Sequence, residues 1–411
     1  MICIKLEPFF QVSCNKIVST TFTMHRRERV AVTALTESLP ALRHEFHRNP
    51  ELGFQENWTK ARIAGQLRSL GIEVYEGVGV VGVLKSGNGN HAIGLRADFD
   101  ALPITEVNTF AHKSQNEGVM HACGHDGHTV MLLGAAELLA KDPAFEGTVV
   151  FLFQPNEEHG LGARAMIDEG VLRTFPIQEV YGAHNLPGEP VGRVSTRAGV
   201  ICCSESLFEI TITGQGGHAS MPHVGRETIT PAAELVLALQ TIVSRKLAPS
   251  SGAVVSVTEF ITDGQRNVLP GYTVLKGDAR AMSPEDRTLI ERNMRQIAAG
   301  VAESHGVEVT VDFRTEFIEA NNDDDAASHV ISAAAATGLE VDGDRSAMSF
   351  SEDFAEFAAV VPGCFLLIGN GTEGSNGRPL HSADYDFNDE LLPLGAKFWA
   401  ELVRQRLPLN P

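Results

Sequence analysis

The sequence predicts an α/β fold: a mostly parallel sheet with helices on both faces, carrying an inserted β-α-β-β-α-β unit of the ferredoxin-like kind. Two observations predict it. Between residues 57 and 184, helical periodicity alternates with short Val- and Ala-rich runs, the pattern of parallel strands joined by crossover helices. From Leu207 to Phe313 the order changes to strand, helix, two strands, helix and strand, and after Asp323 the first texture returns.

The elements follow from local pattern. Apolar residues at helical spacing place a helix over Leu35–His47 and a second over Asn57–Leu70, stopped by Gly71. The Val- and Gly-rich stretch Ile72–Leu84 reads as strand, Gly-Asn-Gly-Asn as a turn, and His91–Ala97 as a buried strand ending at Asp98. Asp126 is placed to cap a helix from Gly127 to Lys141. Gly147–Gln154 and Glu179–Ala183 are apolar strands that run into Glu157-Glu158 and His184. In the inserted unit, Leu207–Thr213 alternates like a half-exposed strand and Pro231–Lys246 is an amphipathic helix. Strands Ala253–Ile261 and Tyr272–Ala281, helix Pro284–Ser304 and strand Val307–Phe313 complete that unit. An Ala-rich helix, strand Cys364–Ile368 and a closing helix Leu391–Arg404 finish the chain.

The chain has 411 residues, long enough for two or three domains. Its 33 basic against 52 acidic side chains give a formal charge of −19, which argues against nucleic acid or anionic lipid, since both bind through neutralised phosphates. No run of eighteen apolar residues exists to span a membrane. Six cysteines in so long a chain build no disulfide framework, so a reducing, cytoplasmic location is expected. Residues 1–23 carry a short apolar patch broken by Glu7, Asn15 and Lys16. They read as a leader extension rather than a signal peptide, with Met24 an alternative start.

Open α/β sheets bind ligands beyond the carboxyl ends of their strands. Asp98, Asp100, Glu157, Glu158 and His184 all fall at such ends. Between them lies His121-Ala-Cys123-Gly-His125-Asp126-Gly-His128, a thiol and imidazole set suited to Zn(II), Mn(II) or related ions. Adjacent glutamates on irregular backbone can point apart, so one of the Glu157-Glu158 pair can bind metal while the other holds a proton. Two histidines three apart, His44 and His47, read as a surface helix face. Glu352-Asp353 reads as the start of a helix, complementing its dipole.

Longer stretches carry a family resemblance: His47-Arg-Asn-Pro-Glu-Leu-Gly-Phe54, Arg96-Ala-Asp-Phe-Asp-Ala-Leu-Pro103, the Cys123–His128 cluster, and Gln154-Pro-Asn-Glu-Glu158 with Gly162-Ala-Arg-Ala-Met166. Gly216-Gly-His-Ala-Ser-Met-Pro-His223, Ser351-Glu-Asp-Phe354 and Leu380-His-Ser-Ala-Asp-Tyr-Asp-Phe387 follow in order. Together they resemble the M20 metallopeptidases, in particular the amidohydrolase subfamily of hippurate, N-acyl-amino-acid and auxin-conjugate hydrolases.

The resemblance implies a zinc-exopeptidase-like catalytic domain split over 24–199 and 319–411, with 200–318 a lid and dimerisation domain. It implies two divalent ions per subunit, Zn(II) or Mn(II), with Ni(II) or Co(II) as further candidates. The implied ligands are Cys123, bridging both ions, with His125, Glu158, His184 and His381. Glu157 is implied as general base, Asp100 as the acid flanking the metals, and His218 as an oxyanion donor reaching in from the lid, often from a partner subunit. Asn267 and Arg280 resemble residues that hold a substrate carboxylate. Asp98 stands where the wider family has a histidine ligand. Phe350 replaces a residue usually small, and Asn156 one often Ala; both bear on which acyl group fits.

The expected function is therefore metal-dependent hydrolysis of N-acyl amino acids by a homodimer or higher homo-oligomer. A dipeptidase or carboxypeptidase uses the same machinery. A metal-free enzyme with Cys123 as nucleophile would leave the other strand-end groups idle, and a scaffold that has lost catalysis would have no reason to retain them.

Overall fold

The structure, a computed structural model, describes residues 37–409. The leader expected over 1–23 and the start of the first helix lie outside the described residues.

Eight strands form the main sheet, in the order Glu73–Glu76, Val80–Ser86, Gly147–Gln154, Ala92–Asp98, Glu179–Pro187, Gly363–Gly371, Val194–Ser195 and Val341–Asp342. The four central strands, from Gly147–Gln154 to Gly363–Gly371, are parallel. They read as near-continuous apolar runs because both faces are covered. On one face a core is built from helices Asn57–Ser69, His125–Lys141, Asp324–Ala336 and Leu391–Arg406. Helices Gly162–Glu169 and Phe354–Ala358 build a second core on the other. The His125–Lys141 helix is buried almost all round. It packs closely on Leu391–Arg406 because glycines stand at the contact: a Cβ on Gly134 would meet Ala396 at 2.9 Å, and one on Gly395 would meet Met131 Sδ at 2.2 Å.

The second sheet is antiparallel, in the order Ala253–Thr262, Tyr272–Ala281, Ser204–Thr213, Glu308–Phe317. With helices Ile229–Thr241 and Pro284–His305 it has the ferredoxin-like topology and a hydrophobic core of its own around Phe208, Leu235, Leu275 and Met294. The chain's two passages between the units lie side by side, as Gly199–Cys202 paired antiparallel with Ala320–Asn322.

Four local expectations need correcting. Ile72–Leu84 divides into a hairpin, Glu73–Glu76 with Val80–Ser86. The helix expected from Pro231 begins at Ile229, and its last turn, Ile242–Lys246, widens to π geometry. Asp126 does not cap its helix. The N-cap is Gly124 at φ 92°, where a Cβ would meet Asn185 Oδ1 at 2.4 Å, and Asp126 lies inside the first turn. Its Oδ2 instead receives bonds from Arg43 at 3.2 Å and from His47 at 2.8 Å. His47 is thus fully buried rather than on a surface face, because those charges face inward beneath the site.

Candidate metal centre and active site

The site forms where the four parallel strands end. Asp98 and Asp100 follow the Ala92–Asp98 strand, Glu157 and Glu158 follow Gly147–Gln154, and His184 lies within Glu179–Pro187. Cys123 and His125 arrive at the N-terminus of the buried helix, and His381 from the loop before Leu391–Arg406. Two non-glycine residues here have positive φ, Asn156 at 50° and His381 at 63°. Strain of this kind persists where surrounding contacts over-determine the backbone; the His381 amide donates to Ala122 O at 2.8 Å and that of Asn156 to Glu56 Oε1 at 3.0 Å.

Cys123 Sγ lies 3.3 Å from His184 Nε2, and His381 Nε2 3.5 Å from Glu158 Oε1. His125 Nε2 is 4.0 Å from both Glu157 Oε2 and Glu158 Oε1. Ligand atoms of Cys123, His125 and His184 lie within 4.8 Å of one another, as do those of Cys123, Glu158 and His381. Cys123 therefore belongs to two donor groups at once. His125 Nε2 and Glu158 Oε1 are buried without a hydrogen-bond partner, an arrangement costly for neutral protein and natural for metal ligands. The donor set of sulfur, imidazole and carboxylate suits divalent ions of the zinc and manganese kind, so the residues fit the group.

Neighbouring side chains fix these donors. Asp100 is central: its backbone O and Oδ1 lie 3.0 and 3.1 Å from His125 Nδ1, and its Oδ2 accepts from the Glu158 amide at 3.1 Å. It thereby directs His125 Nε2 toward the Glu157 and Glu158 carboxylates. His184 Nδ1 is held by Asn185 O at 2.7 Å. His128, metal-capable by composition, is spent on structure, with Nδ1 at 2.7 Å from Asp98 Oδ1 and Nε2 at 2.8 Å from Asn185 Oδ1. His121 is buried with neither ring nitrogen bonded, and burial pushes it down to about 4, so it is neutral.

The electrostatics fit cation binding. Burial, then the Glu158 and Glu157 carboxylates, push the Cys123 thiol well above its ordinary value. Burial, then Glu352 and Glu158, push the Glu157 carboxyl up in the same way. Burial alone would lower His125, but Asp98 and Asp100 outweigh it and raise the imidazole to about 10. So many acids around one cavity are mutually unfavourable until positive charge enters.

A cavity of about 460 Å³ opens over the cluster, lined by Cys123, Glu157, Glu158, His184 and His381. Arg280, Glu205 and Phe317 from the antiparallel sheet form the facing wall, with Phe350 and Leu380 beside them. His218 and Asn267 are not part of this lining. His218 is exposed, its Nδ1 accepting from the Ser220 amide at 3.1 Å, and Asn267 sits in an exposed turn. Asn156 also stays out of the lining, since its Oδ1 lies 2.7 Å from His159 Nδ1.

Sequence reasoning missed one group that supports the site. Arg96, fully buried, binds Asp98 at 2.7 Å, Glu352 at 2.9 Å and Asp353 at 2.8 Å. Gln154 Nε2 also donates to Asp353, at 2.8 Å. Glu352 and Asp353 do start a helix, Phe354–Ala358, with the Phe354 amide donating to Glu352, and they are buried ion-pair partners of Arg96 as well. An Arg and a Gln inside otherwise apolar strands were the available signal.

With fold and site in view, comparison with known proteins gives the class. Residues 94–405 match Peptidase family M20/M25/M40. The chain is 37% identical over 375 residues to the hippurate hydrolase of Campylobacter jejuni, covering 89% of this chain and 96% of that one. It is 35% identical to the IAA-amino acid hydrolase ILR1-like 5 of Arabidopsis thaliana, covering 89% and 86%. Among solved structures, the Bacillus subtilis YXEP protein, a dinuclear metal-binding peptidase of the M20 family, superposes with a TM-score of 0.79 at 31% identity, covering 91% and 99%. The chain belongs to family M20, within its amidohydrolase subfamily. It is a metal-dependent hydrolase of amide bonds.

Proposed function

We propose that the chain cleaves N-acyl amino acids to a carboxylic acid and a free amino acid, using two divalent ions, Zn(II) or Mn(II), held by Cys123, His125, Glu158, His184 and His381. The observation that carries this reading is the double membership of Cys123, whose Sγ stands within ligand reach of both His125 with His184 and Glu158 with His381. The named substrates of the hippurate and IAA-amino acid hydrolases support the substrate class.

Bound divalent ions supply Lewis acidity toward the amide carbonyl and bring the pKa of water toward neutrality. Glu157, nearly buried at the cavity wall and already drawn toward its protonated form, takes the proton of the attacking water and delivers it to the departing nitrogen. The proton is needed because an amine does not leave as an anion. Asp100 holds His125 and the Glu158 backbone in place throughout. Phe350 and Leu380 keep the acyl group out of water, and Arg280 is the candidate holder of the substrate carboxylate.

The 200–318 segment acts as lid and dimerisation unit in this reading. Its edge strand Ala253–Thr262 exposes Val254, Phe260 and Ile261, which supports pairing with a second copy. His218, outside the lining of its own chain's cavity, then reaches the oxyanion from the partner subunit, and Asn267 comes in on the same turn. No helix among the described residues is long and apolar enough to cross a membrane. The free thiols of Cys123, Cys202, Cys203 and Cys364 support the proposed cytoplasmic location.

The peptidase name of the Bacillus subtilis neighbour favours a second reading, hydrolysis of short peptides on the same centre. The metal-free thiol route is disfavoured, since without ions burial and two carboxylates hold Cys123 as a thiol. A substrate panel with Zn(II) or Mn(II), read by release of free amino acid, tests all three. We expect hippurate, N-acetyl amino acids or indoleacetyl amino acids to turn over faster than dipeptides, with activity lost to a chelator and restored by metal. No hydrolysis of any N-acyl amino acid in metal-replete buffer refutes the reading.

A further inference from the structure

The cavity wall facing the strand-end cluster is a single row across the antiparallel sheet. Glu205 on Ser204–Thr213 stands in register with Arg280 on one neighbouring strand and Phe317 on the other, and all three line the cavity. Arg280 spends three of its five N–H groups within the protein and keeps one on each terminal nitrogen for a substrate carboxylate. Its Nε donates to Asp278 Oδ2 at 2.9 Å, one terminal nitrogen to Ser351 Oγ at 2.9 Å, and the other to Glu205 Oε1 at 2.6 Å. Two carboxylates share one guanidinium, so the row carries one negative charge in surplus. The second oxygen of Glu205 bonds no donor among the described residues. Burial pushes the Glu205 carboxyl up even with Arg280 beside it, so a further cation there would favour its ionised form. The other acids of the cavity have partners or roles: Glu352 is paired with Arg96, and Glu157 and Glu158 serve the chemistry proposed above.

We propose that Glu205 is a specificity-determining residue, selecting amide substrates that carry a cationic nitrogen away from the scissile bond. This rests on the reaction proposed above and names the substrate class within it. A cation entering beside Glu205 completes a four-charge row in which each carboxylate has its own counter-ion. The cation can belong to the amino-acid half, as in an Nα-acylated lysine or arginine, or to the acyl half, as in an aminoacyl chain. At a partly solvated site one such pair is worth about tenfold in kcat/KM, or ~1.4 kcal/mol.

The test compares Nα-acetyl-lysine with its neutral counterpart Nα-acetyl-norleucine, and 6-aminohexanoyl-glycine with hexanoyl-glycine, on the metal-loaded wild type and Glu205→Gln. One of the two cationic substrates is expected to exceed its neutral partner about tenfold, which also tells which half bears the cation. In Glu205→Gln that ratio falls to near one. The same pairs titrated calorimetrically into the metal-loaded Glu157→Gln enzyme read the preference without turnover, and the double variant Glu157→Gln with Glu205→Gln should lose it. Neutral substrates turned over, but with cationic-to-neutral ratios that Glu205→Gln leaves unchanged, overturn the role of Glu205 while keeping the amidohydrolase reading. Neither turnover nor binding of any of the four compounds overturns both.

Discussion

The two walls of the cavity are built on opposite principles. On the strand-end wall every donor but the exposed His381 is buried or braced: Asp100 holds His125, Asn185 holds His184, and Arg96 gathers Asp98, Glu352 and Asp353 behind them. The facing wall rests on a sheet joined to the rest by two adjacent strands. Its candidate groups range from the bonded Arg280 to the exposed His218 and Asn267. The first wall is preorganised, as metal ligation and proton transfer require. The second leaves part of its equipment outside, as expected where closure or a partner subunit completes a site.

The largest effect should come from the proton carrier proposed on the rigid wall. Glu157→Gln is expected to lower kcat roughly 10²–10⁴-fold while metal content, measured by atomic emission, stays at the wild-type level; an active variant removes Glu157 from the mechanism. The bracing behind that wall is next. Arg96→Met leaves Asp98, Glu352 and Asp353 buried without their shared cation, and a loss of about 3–5 kcal/mol in denaturant unfolding is expected. A loss under about 1 kcal/mol would show that the three acids are not held by Arg96.

On the open wall, His218→Ala should cost roughly 10²–10³-fold in kcat, as for loss of one oxyanion donor. If His218 acts across subunits, mixing His218→Ala with Glu157→Gln protomers restores part of the activity through hybrid dimers. Full activity of His218→Ala would confine catalysis to the rigid wall.

The smallest effect is one of pH, beneath the rigid wall. Burial opposes charge on His47, but Asp126 outweighs it and raises the imidazole from 6.5 to about 9. The folded state thus holds this proton more tightly than the unfolded chain. Its contribution is complete below pH 6.5 and disappears as pH rises through about 9, amounting to about 3 kcal/mol. Unfolding free energies measured between pH 6 and 10 should show this fall in the wild type and a flatter profile in His47→Gln.

Much of the architecture was legible because it is local. Apolar runs without alternation mark strands covered on both faces, as at Gly147–Gln154, and the change of order after Leu207 marks the second unit. Short-range rules failed where a side chain answers to distant partners. Asp126 looked like a helix cap and His47 like a surface residue. Each is instead buried against a group dozens of positions away, and no local pattern records that. His128 and His125 are chemically alike in the sequence, yet Asp98 and Asn185 occupy both nitrogens of one, while Asp100 takes only one of the other.

By itself, then, the sequence determined which residue types could do chemistry and that they fall at strand ends, since strand and helix periodicity are short-range properties. Tertiary structure alone decided which imidazoles remain free, which acids are neutralised by Arg96, and that Glu205 shares Arg280 on the cavity wall. Hydrogen-bond saturation and charge pairing depend on distances of about 3 Å between residues as far apart as Arg96 and Asp353, and folding brings those together.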